Sequence, residues 1–291
     1  MTTRQASAVL VFVTLLAALG WLLSKMIIQD MAPFAFMSVR FSLAGLVLLI
    51  FCGRGLLAQS IANLCRAALI GFVFAGGMLL WISGLDQTEH MGEAAFISSL
   101  SYILIPVLGA LFFGEKITLG IIVAVMIALI GLGLLSLQDG LELERGQLLL
   151  LLSTFAFALH FLLVSRYART LEPLHLACMQ LLIAGFVASV AGALTGTLNY
   201  AVSPITWLWL VLAALVATSF RFTLQTQALK YASINEAGLI MVLEPVFTAL
   251  LGIWVLKETM NTDQWLGCGL IFFAVLLRQI AGMQWLTRYR K

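Results

Sequence analysis

Apolar runs, each long enough to cross a bilayer, follow one another almost from end to end of the chain. A membrane-spanning helix needs about 20 predominantly apolar residues, and ten such runs are present. They are rich in Leu, Ala, Gly and Phe and lack the alternating polarity of membrane β-strands. Charged residues make up only 10% of the chain, against about a quarter in soluble domains. The sequence therefore predicts an all-α polytopic membrane protein with ten transmembrane helices.

Short connections separate the predicted spans, and several contain the Gly, Pro or Asn residues typical of turns. Pro33 and Pro173 each open a span, where the missing N–H of proline is tolerated, and we assign both a structural role. The predicted spans are 6–28, 33–52, 66–86, 92–113, 117–136, 147–167, 173–194, 206–229, 236–256 and 263–282.

Lysine and arginine are distributed unevenly between the two sets of connections. With a cytoplasmic N-terminus, eleven of the 16 basic residues fall in inner loops and tails, and only Arg145 and Lys257 fall in outer loops. Because cytoplasmic loops carry an excess of Lys and Arg, we predict a cell inner membrane protein with both termini cytoplasmic. The inner residues are Arg4, Arg54, Arg66, Lys116, Arg166, Arg169, Lys230, Arg278, Arg288, Arg290 and Lys291.

The second half of the sequence repeats the first. Residues 33–45 (PFAFMSVRFSLAG) align with residues 173–185 (PLHLACMQLLIAG), including the proline at the start and the Ala-Gly pair at the end. Residues 92–115 align without gaps with residues 235–258, including the Glu-Ala pair near the start and the glutamate at the end. Two matches in the same order make a chance likeness between Leu/Ala-rich helices an inadequate explanation.

An odd number of spans in each repeat determines how the two copies are oriented. Five spans bring the chain to the opposite side of the membrane, so the second copy must enter from that side. Inverted repeats are a recurring architecture of secondary transporters, with the substrate site near the midplane between the halves. We predict two inverted five-helix repeats, residues 1–140 and 141–291.

At this point the chain resembles a known family. Lys25, Pro33 and Arg40 are spaced as Lys-x7-Pro-x6-Arg, and the pattern Pro-x12-Glu, from Pro245 to Glu258, lies near the end of the second half. Together with the ten spans and the repeat, these motifs resemble the drug/metabolite transporter superfamily, and specifically its EamA-type members. The resemblance implies export of small organic metabolites and a structural role for Arg40. The first half departs from the pattern, because Tyr102 stands where the family has proline.

Glu244 and Pro245 lie side by side in the middle of the ninth span. Proline kinks or loosens a helix, and a carboxylate at this depth is costly unless it faces a partner or a wet cavity. One interpretation makes Glu244 a carboxylate that accepts a proton or contacts a cationic substrate. The other is a buried ion pair with Arg221, which the hairpin between spans eight and nine would place at the same depth.

Two further residues within the spans are candidates for substrate contact. The repeat aligns Tyr102 with Pro245, so its ring and hydroxyl would lie at the depth of a central cavity. His160 lies inside the sixth span and could relay protons near neutral pH. Such a histidine more often only hydrogen-bonds a neighbouring helix, and that structural interpretation is favoured here.

Catalytic, metal and cofactor motifs are not evident in the sequence. It contains no HExxH, G-x-S-x-G or P-loop pattern, and we predict no metal site and no cofactor. The net charge of +3 comes from short loops and gives no reason to predict nucleic-acid binding. The histidines and cysteines are scattered: His90, His160, His175, Cys52, Cys65, Cys178 and Cys268.

These observations predict a secondary-active transporter that moves a small organic molecule by alternating access around a central cavity. An amino acid would suit a cavity with one anionic and one cationic residue, and an amphipathic drug would suit aromatic walls. Its partners would be this substrate, the lipid bilayer and protons as a coupling ion, with the oligomeric state left open. An uptake permease, a passive channel and an intramembrane enzyme are the alternatives.

Overall fold

We analysed a computed structural model of the chain. It describes residues 3–114, 119–136, 144–167, 172–229, 231, 240–241 and 243–289. The α-helices, numbered in chain order, are α1 (Thr3–Ile27), α2 (Pro33–Leu57), α3 (Ile61–Gln87), α4 (Met91–Ser99), α5 (Ser101–Phe113), α6 (Leu119–Ser136), α7 (Arg145–Tyr167), α8 (Pro173–Leu194), α9 (Pro204–Ala214), α10 (Arg221–Leu229), α11 (Leu243–Leu251) and α12 (Thr262–Tyr289). Two π-helical turns, Leu215–Phe220 and Gly252–Leu256, follow α9 and α11.

The all-α membrane fold predicted from the apolar runs is confirmed. Each of the ten predicted spans has a helical counterpart in the described part of the chain. Seven helical stretches there are long and apolar enough to cross a membrane, and three further apolar helical stretches are shorter. Span four is built from α4 and α5, which are separated at Leu100. The predicted first turn of span nine, from residue 236, lies outside the described residues.

Pro33 and Pro173 occupy the first position of α2 and α8, where no backbone donor is lost. We name the two ends of the bundle after residues of the first repeat. The Ile27 end is where α1 stops and α2 begins, and the charge distribution predicts it to be external. The Leu57 end is where α2 stops, and it is predicted to be cytoplasmic.

Helices α2 and α8 cross at two glycines that the sequence repeat matches. A Cβ added to Gly45 would lie 2.9 Å from the backbone nitrogen of Leu182, and one added to Gly185 would lie 2.6 Å from that of Ser42. Both pairs, 42 with 182 and 45 with 185, are separated by 140 residues, the offset of the repeat alignment. Gly45 thus packs against Leu182, and Gly185 packs against Ser42, which is the counterpart of Leu182 in the first repeat. Such reciprocal contacts are expected at a two-fold axis between inverted repeats.

Arg40 joins three elements inside the bundle. Its side chain is 5% exposed, its Nε donates to Thr218 Oγ1 at 2.8 Å, and its Nη1 donates to Ser24 Oγ at 2.8 Å. The charge also lies 5.4 Å from the ring centre of Phe36. Thr218 belongs to the first π-helical turn, so Arg40 links α1, α2 and the end of the α9 segment. This arrangement fits the structural role that the family resemblance implies.

At the Ile27 end, side chains from other helices and loops satisfy the free backbone groups of two helix termini. Glu258 accepts hydrogen bonds from the backbone N–H groups of Met91 at 2.7 Å and Gly92 at 3.4 Å, at the start of α4. Lys25 donates to the carbonyl oxygens of Leu85 and Thr88, at the end of α3. Free N–H and C=O groups at helix ends need such partners. The Glu258 bonds connect the two repeats, and the Lys25 bonds connect α1 to α3 within the first repeat.

Candidate functional site

A cavity of about 200 Å³ lies between the two halves. Residues of α1, α2, α3, α4, α5, α7, α10 and α11 line it, so both repeats contribute to its wall. Aromatic rings cover much of the wall, including an edge-to-face pair of Trp21 and Trp81 with ring centres 4.7 Å apart. The polar and charged lining residues are Arg40, Ser98, Ser99, Ser101, Tyr102, His160, Arg221, Gln225 and Glu244.

The cavity brings together the four residues predicted to contact substrate: Tyr102, His160, Arg221 and Glu244. Their positions in sequence span both repeats, and only the fold places them around one space. Pro245, predicted to be structural, also lines this space and is buried.

Glu244 is held by a tryptophan. Trp21 Nε1 donates to Glu244 Oε1 at 2.9 Å, from α1 of the first repeat to α11 of the second. In the described part of the chain, no ion pair within 4.0 Å joins Glu244 to Arg221. The ion pair that matched depth suggested is therefore wrong for this structure. Both residues line the cavity at that depth, but the carboxylate takes a neutral donor on the opposite helix instead.

Arg221 begins α10, directly after the first π-helical turn. Its guanidinium lies 5.0 Å from the ring centre of Phe222, and its buried Nε has no hydrogen-bond partner among the described residues. Arg40 is near enough for the two positive charges to repel each other. An arginine with this repulsion and an unused donor is suited to receive an anionic group.

Tyr102 lies in the second position of α5, just after the interruption at Leu100. It lines the same cavity as Glu244 and Arg221. A tyrosine here offers a ring face and a hydroxyl to a bound molecule.

Tyr102→Ala is expected to raise the substrate concentration for half-maximal transport about 10-fold, because the ring and the hydroxyl are both lost from the wall. Tyr102→Phe should keep the contribution of the ring. Transport kinetics with reconstituted protein, corrected for the amount of protein, measure both effects. Unchanged affinity in Tyr102→Ala would show that the residue only packs.

His160 hydrogen-bonds the neighbouring helix. Its Nε2 lies 2.8 Å from Gln180 Oε1 on α8, and its ring centre lies 5.1 Å from that of Phe74. This is the contact that the structural interpretation of His160 expects. Gln180 is the repeat counterpart of Arg40. Each of these two residues makes a polar contact that links two helices of its own half.

The repeat match between residues 92–115 and 235–258 is also visible in the cavity wall. Three pairs of residues separated by 143 positions all line it: Ser98 with Met241, Ser101 with Glu244, and Tyr102 with Pro245. The two copies of this helix therefore face each other across one space. The charged chemistry is present in only one copy, since serine replaces Glu244 in the other.

Several lining residues could not be identified from the sequence as part of a site. Trp21 and Trp81 resemble many other aromatic residues in apolar helices. Ser98 and Gln225 are polar residues within spans, which is a weak signal because such residues often bond to their own helix. These side chains differ from similar ones elsewhere because they point toward the cavity. Which side chains do so depends on how the helices pack.

A bundle of apolar helices that encloses a charged cavity between inverted repeats is the architecture of a membrane carrier. The chain belongs to the EamA-like transporter family, which matches residues 5–137 and, a second time, residues 144–278. The protein is therefore a multi-pass membrane transporter, as the motif resemblance predicted.

Individual relatives agree with this assignment. An uncharacterized transporter of Archaeoglobus fulgidus is 29% identical over 253 residues, which are 87% of this chain and 79% of the relative. A second uncharacterized transporter of the same organism is 23% identical over 197 residues, 68% of this chain and 70% of the relative. One solved crystal structure, 18% identical, has a TM-score of 0.66 over 97% of this chain and 98% of its own, and it supports the fold.

Proposed function

We propose that this protein is a secondary-active exporter of small zwitterionic metabolites such as amino acids, which moves them by alternating access around the central cavity. Arg221 would bind the anionic group of the substrate and Glu244 the cationic group. Tyr102 would contact the remainder of the molecule, and His160 would hold the wall through Gln180.

The observation that carries this proposal is the pair of unmatched charges. Arg221 and Glu244 line the same cavity without an ion pair between them. A charge withdrawn from water is costly unless a partner or water compensates it. A zwitterion would supply both partners at once, whereas a singly charged molecule would leave one charge uncompensated and a neutral molecule would leave both.

The size of the cavity favours one of the two substrate classes that the sequence suggested. Its volume of about 200 Å³ is below the roughly 300–1,000 Å³ of pockets that hold drug-sized ligands. This supports metabolites of amino-acid size over amphipathic drugs.

Export and coupling form the finer part of the proposal. The direction follows from the resemblance to EamA-type exporters, and a proton gradient would drive it through Glu244. One oxygen of this carboxylate accepts from Trp21, which leaves the other to exchange a substrate amine for a proton.

Flux in proteoliposomes tests the proposal. Purified protein is reconstituted without ATP, and the efflux of radiolabelled amino acids is measured with and without a proton gradient. We expect saturable efflux that the gradient accelerates. Flux that never saturates would indicate a channel, and chemical conversion of the compound without movement would indicate an enzyme. A gradient that drives only uptake would indicate a permease.

The predicted orientation has its own test. In a variant lacking the four native cysteines, Arg145→Cys and Lys257→Cys, both at exposed positions, should react in intact cells with an impermeant maleimide. Arg66→Cys, also exposed, should react only after the cells are permeabilised. The opposite pattern would invert the orientation and overturn the charge argument.

A further inference from the structure

Buried polar atoms without partners are concentrated at the cavity. In the described part of the chain, five buried side-chain atoms lack a hydrogen-bond partner, on His90, Ser98, Arg221, Gln225 and Thr248. Three of these residues, Ser98, Arg221 and Gln225, line the cavity. Native proteins leave few buried polar atoms unpaired, and each such atom needs an explanation. The proposed function explains the unpaired atom of Arg221, but it does not explain those of Ser98 and Gln225.

Ser98 differs from its neighbour in a way that points to a ligand. Serines inside helices usually bond back to a carbonyl of the preceding turn. Ser99 does so, since its Oγ donates to the Phe96 carbonyl oxygen at 2.6 Å. The Ser98 hydroxyl makes no such bond, although it is buried. It can therefore both donate to and accept from a molecule in the cavity.

Gln225 is oriented by a contact on its other side. Its Nε2 donates to Met241 Sδ at 3.8 Å, across the gap between α10 and α11. This leaves Oε1 as a buried acceptor without a partner. Gln225 follows Arg221 by four residues in α10, so the two side chains lie on one face of the helix. The face presents a cationic donor beside a neutral acceptor.

We propose that Ser98 and Gln225 are specificity residues that bind a neutral hydrogen-bonding group of the substrate, a hydroxyl or a primary amide. This inference rests on the proposed function and narrows it to zwitterions with a polar uncharged side group. The group donates a hydrogen bond to Gln225 Oε1. With the Ser98 hydroxyl it forms a second hydrogen bond, as donor or as acceptor. A side group of the same shape without a donor leaves these buried atoms unpaired, and sites of this kind discriminate strongly against it.

Isosteric amino acids supply the test. Threonine and valine have nearly the same shape, as do asparagine and leucine, and only the first of each pair carries the polar group. Competition by each compound against the efflux of radiolabelled threonine from proteoliposomes gives the relative affinities. We expect wild-type protein to prefer threonine to valine, and asparagine to leucine, by about 10-fold or more.

Two variants remove the proposed contacts with little change of shape, Ser98→Ala and Gln225→Met. Each should reduce the preference at least several-fold, because the affinity for threonine falls while the affinity for valine is unchanged or higher. Ser153→Ala is the matched control for the loss of a buried hydroxyl, because Ser153 donates to the Leu150 carbonyl oxygen and does not line the cavity, and it should keep the preference. Thr248→Val removes an unpaired buried hydroxyl outside the cavity wall and should keep it as well.

The melting temperature without substrate separates binding from structure. Because Ser98 Oγ and Gln225 Oε1 have no partner to lose, and Gln225→Met gives up only the long contact of Nε2 with Met241 Sδ at 3.8 Å, Ser98→Ala and Gln225→Met should melt close to or above the wild-type temperature. A lower melting temperature in both, with the preference intact, would show structural roles and overturn the inference. Equal affinities for threonine and valine in wild-type protein would overturn it too, with the proposed function intact. No competition by any of the four amino acids, and no threonine efflux, would instead overturn the proposed function and this inference with it.

Discussion

Glu244→Gln is expected to reduce proton-driven transport at least 100-fold while the protein keeps its wild-type melting temperature. Glutamine has almost the same volume, and its carbonyl oxygen can still accept the hydrogen bond that Trp21 donates. The substitution therefore removes the negative charge and little else. Since Arg221 does not pair with this carboxylate within 4.0 Å, no ion pair is broken. The loss should appear in coupled flux and not in stability.

Glu93→Gln is a matched control for this variant. Glu93 is likewise a glutamate within a span and is buried, 5% exposed, but it does not line the cavity. Its carboxylate accepts a hydrogen bond from Gln147 at 2.7 Å, which a glutamine can also accept. Coupled flux should persist in Glu93→Gln. Wild-type coupled flux in Glu244→Gln would remove Glu244 from the mechanism.

Gly185→Leu is expected to prevent α2 and α8 from packing and to abolish the folded protein. A single Cβ at this position would already lie 2.6 Å from the backbone nitrogen of Ser42 and would also overlap its Oγ. Backbone atoms cannot move aside by changing rotamer, so the helices themselves must separate. Gly185→Ala should destabilise the protein by about 1–3 kcal/mol, the usual cost of overpacking, and leucine should cost more. Thermal unfolding in detergent and the yield of monodisperse protein measure both.

Gly76→Ala provides the comparison, because a Cβ added to Gly76 meets nothing within 4 Å. The same substitution should there be neutral or stabilising, since alanine favours a helix over glycine by about 1 kcal/mol. Equal effects of Gly185→Ala and Gly76→Ala would show that the close crossing of α2 and α8 is not required.

The fold could be predicted because the features that define it are patterns along the sequence. Long apolar runs define the spans, and α8 begins and ends at the predicted residues, 173 and 194. The repeat was visible in the same residues, and its offset of 140 reappears in the contacts of Gly45 and Gly185. These features need no knowledge of how any helix is rotated.

The partners within the site could not be predicted, because helices that are apolar on all sides do not reveal which face turns inward. Arg221 and Glu244 line one cavity, but their matched depth could not show that Trp21, 223 residues from Glu244 in sequence, donates to the carboxylate. The hydrogen-bond partners of Glu93 and Glu258 could not be predicted either. Glu258 caps the first N–H groups of α4, while Glu93 pairs with Gln147.

Trans-acceleration tests the central claim, alternating access around one charged cavity, most directly. Proteoliposomes are loaded with unlabelled threonine or left empty, and the initial uptake of labelled threonine is measured over a range of concentrations. A carrier returns faster when it is loaded, so we predict saturable uptake that internal threonine accelerates several-fold, with Arg221→Gln abolishing both the uptake and the acceleration. Uptake that rises linearly with concentration, ignores internal threonine and persists in Arg221→Gln would contradict the account.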